Sequence, residues 1–156
     1  MKKLATYLIG LAVVGVTACQ VPDPFVDRVV APVLLVFDNA LGDGGGFTTE
    51  PTVTSKANVS SATLSVRILE LDKTNILDNK KGIDSVAVSG AALSLTTRAG
   101  VKIADVTTDA KGRATFTAAW TAFGVATPRV GAVTSLTLSG THKGQAFSKL
   151  VRLQGN

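Results

Sequence analysis

One cysteine, one histidine and one tryptophan occur in 156 residues, and each scarcity removes a class of mechanism. A lone thiol cannot close a disulfide within the chain, so the fold must be stable through its core alone, even in an oxidising compartment. A lone histidine, His142, leaves a metal centre or a Ser-His-Asp arrangement dependent on partners far away in sequence; set between Gly140 and Gly144, it reads as a solvated turn residue. Aromatic residues make up 5% of the chain, thin for a carbohydrate platform. Positive charge is scattered, in runs no longer than two such as Lys80-Lys81, and no aromatics interleave with it, so the electrostatic stripe of a nucleic-acid binder is missing. Beyond residue 18 there is no sustained helical period, which argues against a helical bundle and against a Gly-rich phosphate loop opening a helix. No cofactor is expected.

What is present begins at the N-terminus. Lys2 and Lys3 precede an uncharged, largely apolar stretch over residues 4–15, and small residues lead from there to Cys19. A basic region, a short apolar region and a small-residue site, in that order, form the layout of a secretory signal. The segment Val16-Thr17-Ala18-Cys19 resembles the lipobox of bacterial lipoproteins. The resemblance implies cleavage between Ala18 and Cys19, transfer of a diacylglycerol to the Cys19 thiol, and attachment of the mature chain to a membrane through that lipid. Cys19 is then an anchor rather than a catalyst. The thiolate is the nucleophile such a transfer needs, and several acyl chains hold a protein where one does so only marginally. An uncleaved transmembrane helix fits less well, because a span needs roughly 20 apolar residues and this run is shorter, with Gly10 and Gly15 inside it. In the enterobacterial pattern an Asp directly after the cysteine implies retention at the inner membrane. Gln20 stands there instead, so the implied location is the bacterial envelope, at the outer membrane if the organism has one.

The expected organisation is therefore a signal over residues 1–18, a lipidated tether over 19–28 and one domain over 29–156. Pro22 and Pro24 favour extended backbone in the tether. The part from Cys19 onward is long enough for one domain with a sizeable core. Losing Lys2 and Lys3 takes two charges from the formal +5, and the mild excess that remains points to no particular partner.

The mature chain reads as strands throughout. Residues 29–37 are rich in Val and Leu and broken by Pro32, which suits an edge strand or a strand start. Ala62, Leu64, Val66 and Ile68 alternate with polar residues in a half-buried strand. Residues 86–95 resume the alternation through Val86, Val88, Leu93 and Leu95, with Gly90 where a bulge or bend would sit. Residues 101–107 and the alternating Ala114, Phe116, Ala118 and Trp120 are predicted to pair as a hairpin across a turn in which Asp109 bonds the backbone ahead of it and Gly112 takes positive φ. Residues 133–139 and 145–153 supply a last pair. The class is all-β, an immunoglobulin-like two-sheet sandwich of seven or eight antiparallel strands.

Two segments point to a family. Val88-Ser89-Gly90-Ala91-Ala92-Leu93-Ser94-Leu95, followed by Val106-Thr107-Thr108-Asp109-Ala110-Lys111-Gly112-Arg113-Ala114-Thr115-Phe116, resembles the bacterial immunoglobulin-like domains of adhesins and other surface proteins; a similar pair occurs in transthyretin-like domains. The resemblance implies a fold and no activity. This chain has one copy and no repeat, unlike the stalk-like arrays of adhesins.

Two carboxylate groups invite a calcium reading, Asp38 with Asp43 and Asp72 with Asp78 and Asp84, against the plainer reading of surface loops and turn carboxylates. Trp120 and Phe116 would stack on a sugar if exposed, but their shared strand face makes them core residues first. The expected function is a non-enzymatic, lipid-anchored module for surface interaction or envelope structure, with an envelope protein or glycan as partner. The alternative is a subunit that binds a glycan or an ion through the loops at one end of the sandwich; a hydrolytic enzyme stands third.

Overall fold

The computed structural model describes residues 31–42 and 48–156. Cys19 and the rest of residues 1–30, together with Asp43, lie outside them. Nine strands run through the described residues, with no helix: β1 (Leu34–Phe37), β2 (Thr52–Ser55), β3 (Ser61–Asp72), β4 (Asp84–Ala87), β5 (Ala92–Thr97), β6 (Lys102–Thr107), β7 (Arg113–Ala119), β8 (Val133–His142) and β9 (Gln145–Gly155). They form two sheets packed face to face. The first is built around β3, whose one edge carries β1 and whose other edge carries β7 along residues 61–67 and then β4 along 69–72. The second runs β2-β9-β8-β5-β6. With β1, β3 and β7 adjacent in one sheet and β9, β8, β5 and β6 in sequence across the other, the strands follow an immunoglobulin-like order.

Period-two patterning builds the core. Ala62, Leu64, Val66 and Ile68 of β3 are fully buried, as are Leu95, Leu136, Leu138, Val151 and Leu153 of the facing sheet. Phe37, Phe116, Trp120 and Phe123 add the large rings between the sheets. Burying each such side chain contributes about 1.5–3 kcal/mol relative to leaving it in water.

Three expectations change. Residues 86–95 are two strands in different sheets, because the chain turns at Gly90 (φ +74) and crosses from β4 to β5. Val86 is consequently 52% exposed on a strand without buried residues, while Leu93 and Leu95 are in the core. Secondly, β6 and β7 do not pair as a hairpin: β6 lies against β5 in one sheet and β7 against β3 in the other. The connection between them is a corner from sheet to sheet. Lastly, the count is nine, and one pair is parallel. The chain leaves β1 in the first sheet and enters the second as β2, which runs parallel to β9 from Thr52 opposite Arg152 to Ser55 opposite Gly155.

Candidate functional site

The corner between β6 and β7 is built from hydrogen bonds to a short turn. The Asp109 Oδ1 atom accepts the backbone N–H groups of Lys111 (2.8 Å) and Arg113 (2.9 Å). These two bonds, Arg113 first, hold the Asp109 carboxyl below the usual carboxylate range. Gly112 takes φ +71 and donates its N–H to the Asp109 carbonyl at 2.9 Å. One residue earlier, Thr108 is the only buried polar residue among those described. Its hydroxyl donates to the Val88 carbonyl (2.7 Å) and accepts from the Ala91 N–H (2.9 Å), while its own N–H donates to the Ala91 carbonyl (3.0 Å). The two segments that carry the family resemblance are thus bonded to each other at Thr108.

His142 is not a solvated turn residue. It closes β8, its side chain is 16% exposed, and its Nε2 stands 3.1 Å from Oε2 of Glu70 on the other sheet. A proton on Nε2 lets the ring donate to that oxygen. Lys143 Nζ donates to Oε1 of the same carboxylate, so both oxygens are engaged. The Glu70 carboxyl is held below its ordinary value, first by the hydrogen bond from Lys143 and then by that with His142. The turn carrying these two bases has only two residues between its strand ends, Lys143 (φ +48) and Gly144 (φ +79). Positive φ at both suits the right-handed twist of the strands they join. Sequence reading missed Glu70. A signal was present: it continues the inward parity of Leu64, Val66 and Ile68, where a carboxylate is out of place unless a base meets it.

The candidate calcium ligands are occupied otherwise. Asp38 accepts from the Nε atoms of Arg67 (2.8 Å) and Arg113 (3.1 Å), one on each oxygen. Asp72 Oδ1 accepts the hydroxyl (2.6 Å) and then the N–H (2.9 Å) of Thr74, which lower its pKa in that order. Asp78 Oδ1 takes the N–H of Lys80 and Asp84 Oδ1 that of Ser85. Among the described residues no three His, Cys, Asp or Glu side chains converge as metal ligands would.

Phe116 and Trp120 are 1% exposed, which removes the aromatic platform that motivated a glycan reading. An open depression of about 700 Å³ lies on the outer face of the second sheet, floored by small side chains including Ala92, Ser94, Ser139 and Ser148, with Asp105 on its wall. Lys102 and then Ser94 bond the Asp105 carboxylate and lower its pKa.

No family model matches the chain, and no curated protein matches its sequence.

Proposed function

We propose that the chain is an exported bacterial lipoprotein whose immunoglobulin-like domain is held at a membrane by lipid on Cys19 and serves as a non-enzymatic interaction or structural module of the cell envelope. One observation carries the reading: the order Lys2-Lys3, apolar residues 4–15 and Val16-Thr17-Ala18-Cys19, with no other cysteine in 156 residues. The core supports it, since 22 buried apolar residues between Val33 and Leu153 give the domain its stability without a disulfide. The polar clusters support it too. Glu70 with His142 and Lys143 brace one sheet against the other, and Asp38 with Arg67 and Arg113 clamps neighbouring strands, so these charged side chains have structural partners. Membership among the bacterial immunoglobulin-like domains of surface proteins is the finer form of the proposal, resting on the two quoted segments that meet at Thr108.

Metabolic labelling with a fatty acid tests the anchor. Label should enter the wild type and vanish in Cys19→Ala; an unlabelled wild type overturns the reading.

A further inference from the structure

The end of the sandwich at which residue 31 enters also carries the most exposed apolar side chain among the described residues. β1 runs antiparallel to β3 with Leu34 opposite Leu69, so residues 31–33 lie toward the Asp72 end of β3, where residues 73–83 connect β3 to β4. That connection is folded on itself. Ile76 N–H donates to the Lys73 carbonyl, Asp78 N–H to Asn75, and Lys81 and Gly82 N–H both to Asp78. Asp72, Asp78 and Asp84 bond N–H groups within it or beside it. With its polar groups engaged in this way, the connection presents Ile76 (54% exposed), Leu77 (98%) and Ile83 (48%) to the outside. A leucine left almost wholly in water, with two half-exposed isoleucines in the same short connection, marks a surface that something apolar covers.

We infer that residues 73–83 are a second membrane contact, inserting Ile76, Leu77 and Ile83 into the interfacial layer of the bilayer that holds the Cys19 lipid. The inference rests on the anchor proposed above, and the length of chain outside the structure selects the bilayer as occupant. Eleven residues separate Cys19 from Ala31, a reach of at most about 40 Å when fully extended and about 20 Å as a flexible coil. The end at which residue 31 enters is therefore kept beside the membrane, and an apolar loop at that end meets lipid at high effective concentration. Lys73, Lys80 and Lys81 flank the apolar side chains, where their stems lie along lipid and their ammonium groups reach the headgroups. Asp72, Asp78 and Asp84 balance those three charges, so the contact is driven by apolar burial and responds weakly to salt.

The test uses the full chain, processed in a bacterial host, purified from membranes and reconstituted into phosphatidylethanolamine and phosphatidylglycerol vesicles containing brominated acyl chains. Leu77→Trp places a reporter on the loop. Val130→Trp places one at the opposite end, where Val130 is 77% exposed. Native Trp120, buried in the core, is out of reach of the quencher. Intact mass reads the lipid on Cys19 in the same samples. Quenching of Leu77→Trp emission by at least twofold, with Val130→Trp unchanged, is the expected result, and 0.5 M salt should alter it little. Lipid present with Leu77→Trp unquenched, or quenched no more than Val130→Trp, overturns the loop contact and leaves the anchor standing. Lipid absent overturns the anchor and, with it, the tethering on which the contact depends.

Discussion

Ile68 donates its N–H to the Gly112 carbonyl at 2.8 Å, and a Cβ added to Gly112 would lie 2.6 Å from the Ile68 carbonyl oxygen. That oxygen accepts the Val88 N–H at 3.0 Å, so Ile68 is where the edge of β3 passes from β7 to β4. Gly112→Ala should therefore destabilise the domain in two ways. Its φ of +71 costs a side chain about 1–2 kcal/mol, and the backbone it strikes cannot yield without breaking the handover. Gly90, at φ +74 with nothing within 4 Å of an added Cβ, carries the first cost alone. Urea denaturation should rank Gly112→Val as worst, Gly112→Ala next and Gly90→Ala as mildest. Equal losses at the two glycines would show that the contact with Ile68 is not limiting.

Thr108→Val keeps the shape of the side chain and removes the hydroxyl that bonds Val88 and Ala91. Two buried backbone groups lose a partner, at about 1–3 kcal/mol each, so thermal melts should show a large loss. Thr108→Ser, which keeps the hydroxyl, should recover most of it.

Phe116→Ala and Trp120→Ala should each cost roughly 3–5 kcal/mol, a large part of the 5–15 that a domain normally has. The indole Nε1 of Trp120 is buried without a hydrogen-bond partner among the described residues. Trp120→Phe should cost less than Trp120→Ala, since both remove the unpaired donor and only phenylalanine keeps most of the ring volume. On the opposite face Thr115 pairs with Ser65 at 2.9 Å and Thr117 with Thr63 at 3.2 Å, both in water. Thr115→Ala and Thr117→Ala should change stability by only about half a kcal/mol.

Acid should weaken the domain in a defined direction. Glu70, Asp72, Asp105 and Asp109 all have folded pKa values below their ordinary 4.5 or 3.8. A lowered carboxyl contributes stability that is fully present above its unfolded pKa and is lost as pH falls through the folded one. Melting temperature should therefore hold down to about pH 4.5 and decline below it, and Glu70→Gln should make that decline shallower. A Glu70→Gln profile superimposable on wild type in slope would remove the brace from the account of acid sensitivity.

Side-chain parity was the most readable layer of this fold. Ala62, Leu64, Val66 and Ile68 sit on the inner face that their spacing demands, and Phe116 and Trp120 follow. Parity reports which face is buried and is silent on the partner strand. The turn from Asp109 to Gly112 has the chemistry of a hairpin, yet β6 pairs with β5 and β7 with β3, and the buried Thr108 hydroxyl, bonded to residues 17 and 20 positions away, pins the corner between the sheets. β2 was unreadable for another reason: four residues with Val53 as their one apolar member carry no period. Phe123, fully buried, lay hidden in a stretch with loop composition; Thr134 reaches its carbonyl from 11 residues away. The exposure of Ile76, Leu77 and Ile83 could not be read either, since apolar residues in a connection look the same whether a core covers them or not.

The last strand occupies an interior place. β9 lies between β8 and β2, and the residue after it still takes part, with Asn156 N–H donating to Ser55 and its carbonyl accepting from Ala57. A chain made from its amino end must therefore be complete through residues 145–155 before its second sheet can close. Until then β2 has no partner strand, and half the core lacks Val151 and Leu153. Order of synthesis thus leaves the second sheet open until its last-made strand arrives, and a chain cut short before residue 145 keeps β2 without a partner strand and β8 with one bare edge.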